Sequence, residues 1–149
     1  MRRLTVPLVA RPLRWLAVLA VAAAILVGSV VDVPGAVSSS TPWWDEIAHA
    51  VAYAAFASVL AYATVHWRDR PYRRAAVVVG VAVGYGALVE LVQAPVPHRR
   101  FSPADAAVNA VGALLVTLWF VAERRVRYAR ASALAVALPA TTLAVRGWL

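Results

Sequence analysis

The sequence predicts an all-α fold, a polytopic membrane helical bundle with four to five transmembrane helices. Of its 149 residues, 62% are hydrophobic, and the mean hydropathy is +0.71, whereas ordinary soluble domains are about 45–50% apolar. A soluble chain of this size cannot bury so much apolar surface in one core. Since no polar linker is long enough to separate two domains, residues 1–149 are expected to form a single membrane domain.

Four apolar segments approach the length of about 20 residues that a membrane-crossing helix needs. The first covers about residues 15–31 and is predicted to be an uncleaved N-terminal transmembrane helix, because further spans follow its basic start. It ends near Pro34 and Gly35, which break helices. The other spans cover about residues 47–66, 75–94 and 104–122. The apolar tail at about 131–146 is short for a span, and is predicted to be either a fifth helix or an interfacial segment.

The distribution of arginines predicts the orientation of the chain. The net charge is +8, from 15 arginines and no lysine. Four arginines precede the first span, and the successive loops then hold none, four, two and four. The positive-inside tendency therefore predicts a multi-pass protein of the cell membrane with a cytoplasmic N-terminus, and with residues 33–44 and 95–103 outside. Short basic clusters between apolar runs favour contact with anionic lipid headgroups and argue against nucleic-acid binding.

The absence of cysteine excludes thiol catalysis, disulfides and cysteine metal sites. The stretch D-E-I-A-H at residues 45–49 resembles the zinc signature H-E-x-x-H, but Asp45 replaces the first histidine and no second motif completes the site. No metal and no cofactor is therefore predicted. A serine triad is also disfavoured, since the sequence contains no G-x-S-x-G motif.

Polar residues in three spans are expected to meet near the outer surface. Asp45, His49 and Tyr53 follow one another at helical spacing and share a face of the second span. A carboxylate inside the hydrocarbon costs several kcal/mol and usually marks a functional site, and Glu90 in the third span is such a group. The sequence thus predicts an outward-facing polar pocket, whose binding residues are Asp45, His49, Tyr53, Glu90, Gln93, Arg99, Arg100, Asp105 and Asn109.

Purely structural roles for several of these polar residues also fit the sequence. Intramembrane polar side chains can simply hydrogen-bond helices to each other, which applies to Gln93 and Asn109. Asp45 and Asp105 lie near helix N-termini, where a carboxylate can cap free N–H groups. Tyr53 can be a packing residue with a satisfied hydroxyl.

The same residues resemble the motifs of the VanZ-like family. The pattern D-x-x-x-H-x-x-x-Y begins at Asp45, and the pattern E-x-x-Q begins at Glu90. The second pattern is followed at family spacing by Arg99, Asp105, Asn109 and Gly112, so the resemblance covers about residues 45–120. Glu46 stands where the family usually has lysine, and Val116 stands where a second glycine often follows.

The resemblance implies a small membrane protein of four or five spans that is linked to the cell envelope. The family is named for a teicoplanin-resistance protein, so it also implies a link to glycopeptide-antibiotic tolerance, but it supplies no reaction. The predicted function is recognition of an envelope lipid or lipid-linked glycan. In this hypothesis Arg99 and Arg100 bind a phosphate or carboxylate, and Glu90 and His49 are the catalytic candidates if a reaction occurs.

Two further functions fit the sequence less well. One is a non-catalytic scaffold that binds another membrane protein. The second is a transporter of a lipid headgroup, which needs a polar path to the inner face, whereas the inner halves of the spans look almost entirely apolar. The sequence does not separate binding from catalysis, and it predicts no oligomeric state.

Overall fold

A computed structural model describes residues 4–31, 43–96 and 102–131 and confirms the all-α helical bundle. Within these ranges, four helices are long and apolar enough to cross a membrane. They are α1 (Arg11–Val30), α2 (Trp43–Ala63), α3 (Pro71–Gln93) and α4 (Pro103–Leu114), which continues after Leu115 as α5 (Val116–Ala122). The predicted fifth helix at 131–146 lies outside the described residues after Ala131.

The helix boundaries differ from the predicted spans at the basic segments. α3 begins at Pro71, so that Arg73 and Arg74 belong to the helix and not to the preceding loop. Proline suits this position, since its missing N–H is not needed in the first turn. Hydropathy alone ended the span at the first charged residue, whereas the helix continues because its backbone hydrogen bonds do not depend on side-chain polarity.

The helices alternate in direction, which gives the bundle two ends of different chemistry. At the end called here the arginine-rich end, Arg14 Nη1 in α1 donates to the carbonyl oxygens of Tyr62 and Ala63 at the end of α2, at 3.2 and 3.3 Å. At the opposite end, called the Glu90 end, Gln93 Nε2 in α3 donates to the carbonyl oxygen of Ser29 in α1 at 3.0 Å.

The core between these two ends is apolar. Its buried residues include Phe56, Leu60, Val78, Ala82 and Val116. Large apolar side chains also cover the outer surface of the helices, for example Leu19, Leu88, Val111 and Leu118. Helices that are apolar both inside and outside are typical of a bundle surrounded by lipid.

α2 packs most extensively against α4, and a glycine makes this close approach possible. A Cβ added at Gly112 would overlap the Ala50 carbonyl oxygen and would lie 2.9 Å from the Ala50 carbonyl carbon and Cα. Small residues let transmembrane helices approach in this way. Gly112 therefore has a packing role in this fold.

A two-stranded parallel ribbon at the arginine-rich end was not predicted. β1 (Leu4–Leu8) pairs with β2 (Val126–Arg130), in a register that places Leu4 beside Val126 and Leu8 beside Arg130. The Tyr62 hydroxyl fastens β1 to α2, because it donates to the Pro7 carbonyl oxygen at 2.6 Å and accepts from the Val9 N–H at 3.0 Å. Each strand is short, and its partner lies at the opposite end of the described chain, so local patterns do not reveal the pairing.

The sequence did not reveal a buried ion pair at the arginine-rich end, which lies just outside the predicted spans at 75–94 and 104–122. Arg74 is only 1% exposed, and its Nη1 lies 2.6 Å from Glu123 Oε2 in a buried ion pair. Arg74 Nε also donates to Thr64 Oγ1 at 3.2 Å, and Nη2 donates to the Ala61 carbonyl oxygen. The sequence placed both charges in loops, but the extended helix and the turn after α5 bring them together inside the bundle.

The ion pair also connects the bundle to the ribbon. The Tyr128 hydroxyl in β2 donates to Glu123 Oε1 at 2.5 Å. Burial, followed by this hydrogen bond to Glu123, raises the pKa of the Tyr128 phenol above its ordinary value. Both oxygens of the Glu123 carboxylate are thus bonded, which is what a buried charge requires.

Candidate functional site

A groove between α1 and α2 carries part of the predicted site. Its volume is about 450 Å³, and it is called here the α1–α2 groove. Asp45, His49 and Tyr53 line it together, as their helical spacing predicts. Apart from Ser29, the remaining lining residues carry no polar side chain: they are Val21, Ala24, Ile25, Gly28, Ala48, Ala52 and Ala55.

The opposite wall of this groove differs from the predicted one. Glu90 and Asp105 were expected to face the second span across the pocket, but among the described residues the facing wall is α1. Sequence reasoning missed α1 because its only polar residue near this end is Ser29. Small residues such as Ala24 and Gly28 leave the space between the two helices, and both are exposed, so the groove is open along the side of the bundle.

Behind the groove, Tyr53 joins it to the centre of the helix bundle. Tyr53 is 1% exposed, and its ring lies against Gly86 of α3, where an added Cβ would be 3.1 Å from Tyr53 Cε1. The same Cβ would lie 3.4 Å from the Cβ of Asn109 in α4. Both Tyr53 and Asn109 therefore lie beside Gly86, where α2, α3 and α4 converge. For Tyr53 and Asn109, this depth agrees with their positions in the predicted spans.

Glu90 is buried and holds the beginning of α4. It is 2% exposed, and its Oε2 accepts a hydrogen bond from the Ser102 N–H at 3.3 Å. The Ser102 hydroxyl in turn accepts from the Asp105 N–H at 3.2 Å and caps α4. The side chain that caps α4 is therefore Ser102, and Asp105 lies in the first turn of the helix, where its carboxylate is favourable to the helix dipole.

Gln93 and the catalytic candidates have separate roles in this arrangement. Gln93 is 5% exposed and connects α3 to α1 through Ser29, so the predicted role in bonding helices together holds for this residue. No hydrogen bond joins His49 to Glu90 within the described ranges. The predicted anion-binding residues Arg99 and Arg100 lie outside the described residues.

Several buried polar atoms near the Glu90 end have no hydrogen-bond partner in the described part of the chain. They are Glu46 Oε2, His49 Nδ1, the Tyr53 hydroxyl oxygen and Asn109 Oδ1. A buried polar group without a partner costs about 1–3 kcal/mol, so such groups favour a ligand that supplies the missing bonds. Two of them, on His49 and Tyr53, belong to residues that line the groove.

Glu46 is a residue that sequence reasoning passed over as a site candidate. It is half-buried, whereas the neighbouring Asp45 is exposed. Glu46, His49 and Tyr53 follow at positions i, i+3 and i+7, which is also a helical face. Spacing alone cannot choose between two adjacent acids, because the rotation of the helix decides which one faces the bundle.

The described residues contain no group of three or more His, Asp or Glu side chains that could hold a metal ion. The class of protein defined by these features is a multi-pass helical bundle with an amphipathic groove between two apolar helices. No protein-family model, curated protein or solved structure matches the chain.

Proposed function

We propose that this chain is a VanZ-like protein of the cell membrane that recognises an envelope lipid or a lipid-linked glycan. The observation that carries the proposal is the composition of the α1–α2 groove. One part of it presents Asp45, His49 and Tyr53, while most of the rest is apolar. A lipid has the same division, with a polar headgroup and an apolar chain.

The energetics of a membrane assign different tasks to the two parts of the groove. A lipid chain already lies in apolar surroundings, so its transfer into the groove brings little hydrophobic gain. The apolar lining therefore selects by shape, and affinity comes from the polar part. A hydrogen bond from a headgroup to His49 would satisfy a buried atom that lacks a partner in the described residues, at about 0.5–1.5 kcal/mol.

Groove filling tests this proposal with a matched pair of variants. An added Cβ meets nothing within 4 Å at either Gly28 or Gly84, but only Gly28 lines the groove. Gly28→Leu should therefore abolish labelling by a photoactivatable polyprenyl-phosphate-linked sugar, and Gly84→Leu should retain it. Equal labelling of the two variants would contradict lipid recognition in the groove.

The polar end of the groove has its own matched control. His49→Ala should weaken capture of the same probe roughly 2- to 10-fold, because one hydrogen bond is lost. His66→Ala removes an exposed imidazole just after α2, at the arginine-rich end, and should leave capture unchanged. If His66→Ala weakened capture as much as His49→Ala, the loss would not belong to the groove.

The proposed orientation places the N-terminus in the cytoplasm and the Glu90 end outside, as the arginine distribution favours. Because the chain has no native cysteine, single cysteines report the side directly. Ser102→Cys should react with a membrane-impermeant maleimide on intact cells, and Asp69→Cys, at an exposed position near the arginine-rich end, should react only after permeabilisation. The reverse pattern would exclude an external substrate.

The link to glycopeptide tolerance rests on the family resemblance and can be tested separately. Production of the chain in a susceptible host should raise the teicoplanin concentration that stops growth, and Gly28→Leu should remove that effect. A scaffold function is the alternative that predicts crosslinks from exposed residues of α3 and α4 to another membrane protein. Transport is less well supported, because the described core between the two ends is apolar.

A further inference from the structure

A second cavity, at the opposite end from the proposed groove, has a strongly basic lining. Its volume is about 470 Å³, and it is called here the ribbon cavity. Among the described residues, three arginines and no acidic residue line this cavity. The full lining is Leu8, Val9, Ala10, Arg11, Arg14, Arg130 and Ala131.

The parallel ribbon builds this cavity from the two ends of the described chain. Its register places Arg130 beside Leu8, shortly before the start of α1 at Arg11. Arg11 and Arg14 occupy the first turn of α1, where free N–H groups and the helix dipole add further positive potential. Arginines that are far apart in sequence therefore surround one cavity. Their positive charges repel one another unless an anion enters.

Arg14 is the residue that points most directly to a ligand. It is 6% exposed, and its Nη1 donates to two carbonyl oxygens at the end of α2. Its Nε is buried and has no acceptor within the described ranges. Carbonyl oxygens carry only partial charges, so they do not neutralise Arg14 as Glu123 neutralises Arg74. A buried cation without a counter-charge is unfavourable, and a bound anion would supply that charge.

We infer that the ribbon cavity binds a phosphate group. Guanidinium groups present planar, paired donors that match phosphate oxygens, and three of them surround the space. Trp15 is partly exposed beside Arg14, as expected for a residue at the membrane interface. The phosphate can therefore be part of an anionic lipid headgroup or a soluble ion, and this site is independent of the α1–α2 groove.

A neighbouring basic cavity supplies the matched control. It is lined by Trp67, Asp69, Arg70, Arg73 and Arg74, among others. Asp69 contributes a negative charge to this cavity, and Glu123 neutralises Arg74. Arg73→Gln thus removes one exposed charge at the same end of the bundle without touching the ribbon cavity.

The experiment measures phosphatidylglycerol binding to the purified full chain in detergent by native mass spectrometry, with phosphatidylcholine as the neutral comparison. Arg130→Gln and Arg11→Gln should each weaken phosphatidylglycerol binding about fivefold. Arg73→Gln should change it by less than about twofold. Arg14 is left unchanged, because it also holds the end of α2, and circular dichroism confirms that each variant is folded.

A second arm identifies the source of the phosphate. Inorganic phosphate is titrated against thermal unfolding in lipid-free detergent. If phosphate stabilises the wild type but not Arg130→Gln, and phosphatidylglycerol shows no preference, the site binds a soluble anion. Equal losses of phosphatidylglycerol binding in Arg73→Gln and Arg130→Gln would mean that the lipid is held only by general electrostatic attraction. Those equal losses, or the absence of any dependence on Arg130 with either probe, would overturn the inference.

Discussion

The contact between α2 and α4 allows a graded test of the helix packing with alanine substitutions. At Gly112 the new Cβ would lie 2.9 Å from the Ala50 carbonyl carbon and Cα, whereas carbon atoms in contact prefer about 3.5–4.0 Å. The two helices must therefore separate locally by about 0.6–1.1 Å. A gap of that size forfeits a quarter to a half of each dispersion contact that it opens.

The expected cost of Gly112→Ala is about 1–3 kcal/mol, which is typical of overpacking. Gly84→Ala is the control, because its Cβ would meet nothing within 4 Å, and higher helix propensity should stabilise it by up to about 1 kcal/mol. Gly86→Ala should fall between them, since the Tyr53 ring at 3.1 Å can move more easily than a backbone.

The assay is equilibrium unfolding of the purified full chain by titration of a denaturing detergent, followed by circular dichroism. The stabilities should rank Gly84→Ala above Gly86→Ala, and Gly86→Ala above Gly112→Ala, with a span of roughly 1–4 kcal/mol. If Gly112→Ala were as stable as Gly84→Ala, the helices would not approach at this glycine, and the described packing of α2 on α4 would be refuted.

Two further predictions concern the buried network at the arginine-rich end. Glu123→Gln leaves Arg74 buried without its counter-charge and should destabilise the fold by about 3–5 kcal/mol. The double variant Arg74→Met, Glu123→Leu should recover most of that loss in the same unfolding assay. If it recovered none, the unpaired charge would not be the cause of the loss. Tyr128 has a raised pKa because of burial and its bond to Glu123, so it favours the protonated form in the folded state. The stability that the raised pKa of Tyr128 gives to the folded state is therefore complete below its ordinary pKa of 10.0. It is lost as the pH rises above that value. Tyr128→Phe should show a smaller loss of stability above pH 10.0 than the wild type, and identical alkaline profiles would contradict the assignment.

The membrane-spanning helices were predictable because hydropathy is a local property of the chain. Each of the four predicted spans within the described residues corresponds to a helix, and the errors at Arg73 and Arg74 concern only where a helix begins. That Tyr53 and Asn109 both lie beside Gly86 agrees with their predicted positions at the same depth on two spans. Short-range spacing and approximate depth were sufficient for these conclusions.

The contacts between distant segments were not predictable in the same way. Whether Asp45 or Glu46 faces inward depends on the rotation of α2 about its axis, which its packing against the other helices decides and its sequence alone does not. The sequence did not predict the ion pair of Arg74 with Glu123, because Glu123 follows a different span and begins a segment rich in arginine.

By itself, the sequence determined an all-α bundle of apolar helices, and it placed Asp45, His49 and Tyr53 on one helical face. These properties follow from hydropathy, charge and helical period, which are contained in neighbouring residues. Only the tertiary structure decided that α1 forms a wall of the groove, that β1 pairs with β2, and that Arg14, Arg11 and Arg130 surround one cavity. Those arrangements depend on how helices rotate and approach one another, and the packing of small residues such as Gly112 sets that geometry.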